Sequence, residues 1–388
     1  MKLTEQDINK LKKIGLITST YPSKKIIEDL ELDTVDLNKI FKYITHVDST
    51  EKIEQWLSEE PGPTPPGPTP ESEPLTFNIK SNGYINWICM VENGATIEYS
   101  KNDGDWISIT ATIPDQQTYK GTTIDVESGD VVKFRGDNPR YASIEDETPM
   151  VYGAFDFSTC EYDLSGNILS LINSTNYENI TTLTYENTYA FMMLFESSPV
   201  VDASKLVLPA TTLANSCYRQ MFNICTSLTT APELPATTLA DSCYYDMFRG
   251  CTALTIAPKF SATTLADYCC VSMFEGCTSL TTAPELPATT LANYCYQNMF
   301  YGCTSLTTAP ELPATTLTNY CYDNMFYGCI SLNRITCLAT DITATGCTSY
   351  WVKNVHADGI FIKNASMSTS SWGSGDSRIP TGWTVQSA

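Results

Sequence analysis

Fifteen cysteines, two histidines and 44 aspartates and glutamates are the groups of this 388-residue chain that could do chemistry. Ten of the cysteines fall in two columns with a spacing of 26 residues: Cys217, Cys243, Cys269, Cys295 and Cys321, then Cys225, Cys251, Cys277, Cys303 and Cys329. Such density would suit a disulfide framework, a metal centre or nucleophilic thiols, and the spacing argues against each. No C-x-x-C occurs, so zinc has no ligand pair to start from. If the segment between the columns is helical, its two thiols stand ~12 Å apart, beyond the ~7 Å Cα limit of a disulfide. Pairing within a repeat is thereby excluded. Pairing between adjacent repeats stays open, and buried free thiols fit an unexported protein better. The histidines, His46 and His356, are isolated, and no nucleophile motif or phosphate loop accompanies them. The chain is expected to be no enzyme and to need no cofactor or metal.

What positions the cysteines is a repeat. Leu-Pro-Ala-Thr-Thr-Leu begins at Leu208, Leu234, Leu286 and Leu312, with Phe260-Ser-Ala-Thr-Thr-Leu between, and a Met-Phe pair keeps step at Met221, Met247, Met273, Met299 and Met325. A strict period of this length means units that bury their apolar faces against their neighbours. Read as a short helix starting at Leu291, the block turns Leu291, Ala292, Cys295, Tyr296, Met299, Phe300 and Cys303 to one side. The columns that vary between blocks, such as Ser216, Ser242, Tyr268, Tyr294 and Tyr320, fall opposite, as a buried and a solvated face should. Asn215, Asp241, Asp267, Asn293 and Asn319 stand where a helix N-cap is needed.

Leu306-Thr-Thr-Ala-Pro-Glu-Leu then reads as a strand with Leu306, Thr308 and Leu312 inward. Its outward columns make a flat polar face centred on Thr255, Thr281, Thr307, Glu285 and Glu311, the candidate ligand contacts. Tyr218, Tyr244, Tyr296 and Tyr322 form an aromatic column at its margin. Aromatic faces beside hydroxyls suit carbohydrate, so Tyr296 and Tyr322 join the candidates, although a tyrosine column is more often the edge of a core.

Composition shifts divide the chain. Residues 1–58 carry short amphipathic helices and read as a docking unit for a protein assembly; residues 59–74 hold seven prolines. Such a proline-rich stalk spans ~50 Å. Residues 75–148 alternate with period two around Asn102-Asp-Gly-Asp105 and read as a β-sandwich. Residues 149–336 are the repeats with their N-terminal cap, and residues 337–388 a C-terminal cap closed by tryptophans. The fold class expected is thus multidomain: a small α-helical unit, a stalk, a β-sandwich and an α/β solenoid of 26-residue repeats. A net charge of −21 disfavours nucleic acid as a ligand. No apolar run reaches membrane-spanning length and Met1 is followed by polar sequence, so neither membrane insertion nor an export signal is expected. Oligomeric state, including a homo-oligomer, stays open.

At Leu291-Ala-Asn-Tyr-Cys-Tyr-Gln-Asn-Met-Phe-Tyr-Gly-Cys-Thr-Ser-Leu the chain resembles the BspA-like leucine-rich repeats. Those repeats carry an aliphatic-x-x-Tyr/Phe-x-Gly-Cys-x-x-Leu core, usually in a shorter unit; the similarity covers roughly residues 190–336. Trp351-Val-Lys-Asn, Trp383-Thr-Val and the stretch from Gly129 to Asp137 also resemble segments that accompany such repeats in proteins of gut bacteria and their phages. The resemblance implies a leucine-rich-repeat fold and adhesion to a host-surface glycan or protein, with no catalytic residues. Without an export signal, it points to a virion appendage such as a head fibre, with a bacterial cell-surface adhesin or an intracellular scaffold as alternatives.

Overall fold

The computed structural model describes residues 73–145 and 148–388. The helical unit expected over 1–58, and all but the last two residues of the stalk, lie outside the described residues. Alternating side chains build the first part as strands: β1 (Leu75–Ile79), β2 (Gly83–Ile88), β3 (Thr96–Lys101), β4 (Ile107–Thr110), β5 (Thr122–Val126), β6 (Val131–Arg135), β7 (Ala142–Glu145), β8 (Thr148–Val151), β9 (Ala154–Phe155) and β10 (Tyr162–Asn167). Asn102 and Asp103 turn between β3 and β4 with φ of 53° and 55°, the left-handed geometry that tight hairpins need. With β11 (Val200–Val207), a six-stranded sheet forms in the order β11-β10-β1-β6-β3-β4, facing a smaller sheet β5-β2-β9. Phe155 on the small sheet meets Phe77 and Phe134 on the large one, each at 4.8 Å between ring centres. Each such pair contributes about 0.5–1.5 kcal/mol beyond its buried area.

No break in hydrogen bonding marks the passage into the repeats. Strand β10 pairs antiparallel with β1 on one side and parallel with β11 on the other. One hydrophobic core accordingly runs from Leu75 to Trp383. The described residues are β-rich, and Thr369–Trp372 is their one α-helix.

The short helix expected in each repeat is therefore absent, and its backbone bonding shows why. Alternate N–H groups donate three residues back within the block, as in Cys217 to Ala214 (3.3 Å), Arg219 to Ser216 (3.2 Å) and Met221 to Tyr218 (3.3 Å). Those between them donate to the next block: Ser216 to Asp241 (2.9 Å), Tyr218 to Cys243 (3.0 Å), Gln220 to Tyr245 (2.8 Å) and Phe222 to Met247 (2.9 Å). A helix would satisfy all of these donors internally, whereas this run of turns spends half of them on its neighbour. The geometry requires a left-handed residue at every fourth position: Ser216, Gln220 and Ile224 have φ of 53°, 57° and 60°. Such residues cost roughly 1–2 kcal/mol each unless glycine stands there, and glycine does at Gly250, Gly276, Gly302 and Gly328.

The Asp/Asn column consequently caps no helix. Asp267 Oδ1 accepts from the backbone N–H of Asn293 (2.8 Å) and Asn319 Oδ1 from that of Thr345 (3.1 Å), so these side chains join successive blocks. The strand stretch also departs from simple alternation. In β12 (Thr308–Leu312) Thr308 is exposed, while Ala309 and Pro310 are both buried. Pro310 has no N–H to donate, and a register shift between Thr308 and Glu311 absorbs the irregularity. The parallel ladder does not end with the sequence repeat but continues through β13 (Arg334–Cys337), β14 (Ile360–Lys363) and β15 (Thr384–Ser387). Trp351 and Trp372, both fully buried, stack 5.8 Å apart in that tail.

Candidate binding faces of the repeats

Of the residues expected to meet a ligand, Thr255, Thr281, Thr307, Glu285 and Glu311 are exposed along the strand side. Thr281 Oγ1 donates to the Thr255 carbonyl (3.1 Å), which commits the hydroxyl proton and leaves its oxygen free to accept. Between the blocks runs a shallow groove of about 410 Å³, lined by Pro284, Glu285, Leu286, Pro310 and Glu311 among others. This face offers carboxylate and hydroxyl acceptors beside small apolar rings, which suits the hydroxyls of a sugar or the amides of an extended peptide.

Tyr296 and Tyr322 do not belong to that face. Each is 1% exposed and stacks on the other at 6.3 Å, and Tyr322 continues onto Trp351. They follow the cysteines of the first column, and in the four-residue rhythm of the turns both positions point inward. The ambiguity between core edge and ligand platform thus resolves to core, and no surface ligand reaches these rings.

The aromatics that reach the surface of the repeats lie on the turn side instead, Tyr268 and Tyr301 exposed and Tyr294, Tyr320 and Tyr327 half-buried. Tyr268, Tyr294 and Tyr320 stack with centres 4.6 and 4.8 Å apart and planes within 10°. Tyr301 and Tyr327 form a second ladder at 4.7 Å. Sequence reasoning placed both columns on the solvated face but gave them no role. Their signal was the same residue type recurring at the repeat spacing within otherwise variable columns.

Comparison with protein-family models, curated proteins and solved structures found no match. The chemistry of the site therefore rests on its own groups. All fifteen cysteines are free and buried. In the second column the thiols of Cys251, Cys277 and Cys303 each donate to the carbonyl of the preceding block's phenylalanine, at 3.1 Å. Burial pushes the thiols of Cys225, Cys277 and Cys329 up to about 12, far from the thiolate form that reacts. Iodoacetamide should therefore leave these columns unmodified in the native protein and label them fully once denatured, without reductant. Peptide mapping that finds bridged cysteines in place of labelled ones would overturn this.

Among the described residues no group of three His, Cys, Asp or Glu side chains is arranged to hold a metal ion, and no helix is long and apolar enough to cross a membrane. Buried carboxylates are present, but scattered. Asp156 is pushed up to about 7 by desolvation, with Glu196 adding like charge, and Asp246 is pushed up to about 6, again chiefly by desolvation.

Proposed function

We propose that this chain is a non-enzymatic display protein whose blocks form a leucine-rich-repeat type solenoid that presents a repeated recognition surface. Within that reading it serves as a phage virion appendage of the head-fibre or decoration type. Residues 1–58 dock to the particle or another protein assembly, and the repeats contact host-surface glycan or protein. The observation that carries the reading is the register of the inter-block hydrogen bonds. It holds like side chains at a fixed spacing along an exposed face, as in the chain of donors from Ser216 to Asp241, Ser242 to Asp267 and Tyr268 to Asn293. A repeated surface suits a repeated or multivalent target, for which weak single contacts suffice. The resemblance to BspA-like repeats supports the same direction, and a bacterial cell-surface adhesin is the alternative setting.

The strand side, with Thr255, Thr281, Thr307, Glu285 and Glu311, is the proposed glycan face. Replacing Thr281 and Thr307 together by Lys should abolish binding to host cells or to their purified surface polysaccharide, while Tyr301→Ala leaves it unchanged. Loss of binding in Tyr301→Ala with retention in the lysine variant would place recognition on the turn side and favour a protein receptor. The exposed tyrosine ladders are the observation on which that second reading stands.

A further inference from the structure

We infer that the outer face of Tyr268 is a binding site for a planar cation, the guanidinium of an arginine on a partner protein. The column to which this ring belongs runs Ser216, Ser242, Tyr268, Tyr294, Tyr320, Gly346. Three rings stack, and the stack is closed at its far end, where Gly346 lies so near Tyr320 that a Cβ there would come within 2.3 Å of the ring. At the near end the neighbour is Ser242, whose side chain is too short to cover an aromatic face. Tyr268 is 41% exposed in consequence.

The opening has a defined thickness. Ser242 N–H donates to Asp267 (3.2 Å) and Tyr244 N–H to Cys269 (2.9 Å), which sets Ser242 opposite Tyr268 in register. Hydrogen-bonded neighbours of this kind lie ~4.8 Å apart, the spacing at which Tyr294 already stacks on Tyr320. Two serines in succession, Ser216 and Ser242, separate Tyr268 from Tyr189, whose N–H donates to Asn215 as that of Ser216 does to Asp241, so the opening is two levels deep and admits a planar group laid on Tyr268.

The molecule shows what covers such faces. Arg219 lies over Tyr245 at 4.3 Å and Arg135 over Trp106 at 4.1 Å, with Lys353 over Tyr327 at 5.5 Å. None of the chain's own described cations lies over Tyr268. Asp241, exposed, precedes Ser242 and supplies a carboxylate beside the opening, whereas that of Asp267 is taken up by Asn293 in the block beyond. Between residues 186 and 336 eleven acidic residues face five basic ones, and Arg219 and Arg249 are already engaged, with Tyr245 and Glu275. The opening thus combines an uncovered ring with uncompensated negative charge. A guanidinium answers both at once, since it stacks flat and forks onto carboxylate, whereas a lysine ammonium does neither as well. A neutral sugar would leave the carboxylates without a counter-charge.

This site deepens the reading of the repeats as a recognition surface and rests on it, but it is measured with a defined probe independent of any host. The full-length protein is titrated with a tetra-arginine peptide and with tetra-lysine, following tyrosine fluorescence and heat of binding. Tetra-arginine should bind the tighter of the two. Ser216→Tyr together with Ser242→Tyr, which carries the ladder on to Tyr189 and leaves no ring facing a serine, should weaken it roughly tenfold, whereas Ser242→Tyr alone only moves the uncovered face by one block. Asp241→Asn should weaken it less, and the heat unfolding of all variants should stay near that of the parent. Equal binding by the parent and the double tyrosine variant would overturn the site, since attraction to the acidic chain as a whole would then account for the peptide. Failure to bind tetra-arginine at all would overturn it too. Loss of glycan binding by the strand-face lysine variant with tetra-arginine binding intact separates this site from the glycan reading.

Discussion

Replacing Phe274 by Ala should lower the stability of the repeats by about 3–5 kcal/mol. Its ring is fully buried and stacked on both sides, with Phe248 at 5.6 Å and Phe300 at 5.7 Å and planes within 7°. Removing it opens a cavity between blocks that are held in register by backbone bonds and so relax little. The same column runs from Phe195 through Phe326, so an interior ring costs more than a terminal one, where one stacking partner is missing. Denaturant unfolding followed by circular dichroism reads the effect. A loss below about 1 kcal/mol would mean that neighbouring blocks collapse into the gap, contrary to the rigid stack described above.

The second large effect is one of pH. Asp156 is almost fully buried, its carboxylate accepts from the backbone N–H of Phe157 (2.7 Å), and desolvation pushes it up to about 7, with Glu196 contributing like charge. Glu196 is itself raised by burial, although Asn223 donates to it at 2.6 Å. Because the folded protein holds its proton more tightly than the unfolded chain, folding is favoured most at low pH. Stability falls as pH rises from the ordinary aspartate range near 4 through 7, and the whole penalty is present above 7. Asp156→Asn keeps the acceptor for Phe157 and removes the ionisation. It should raise stability at pH 8 by a few kcal/mol, on the order of 1.4 for each pH unit through which the group is shifted, and change little at pH 4. Melting temperatures at the two pH values test this; a variant that is destabilised at pH 8, or that keeps the parent's slope, would show that the ionised carboxylate is not a liability.

The columns of the repeat were legible because identical types recur at identical spacing: Cys217, Met221, Phe222 and Cys225 are all buried, as the amphipathic pattern required. The helix was misread because apolar pairs recur at 213/214, 217/218 and 221/222, a period of four, which over so short a run still fits within the broad apolar arc of a helical wheel. The signal against a helix was the glycine at every eighth residue after a serine or tyrosine, Gly276 after Tyr268 for example, and in the first block Ile224 concealed it. On the strand side, Thr281 and Glu285 are exposed as the polar pattern required, but Thr282 and Thr308, expected inward by alternation, are exposed as well. Ala309 is not, since a bulge at Pro310 turns two successive residues inward. The tyrosine ladders escaped because their column begins with Ser216 and Ser242, and a column of mixed types looks like drift until the rings are seen to touch. The stacking of residues beyond 337 was hidden for a related reason: backbone bonds carry it where the side-chain pattern has gone.

The thiol bonds have a consequence for the history of the gene. Cys303 reaches back to Phe274 and Cys329 to Phe300, each 29 residues earlier, while backbone donors reach forward to the next block. If residues 286–311 were excised, Cys329 would find Phe274 where Phe300 had been, and Phe274 N–H would find Met325 in place of Met299. Each broken bond would be remade with a partner of the same type. Unequal crossing-over between segments that encode such similar blocks would then yield shorter and longer chains that fold alike, with the reach of the protein and the length of each contact column set by copy number, while both ends stay as they are.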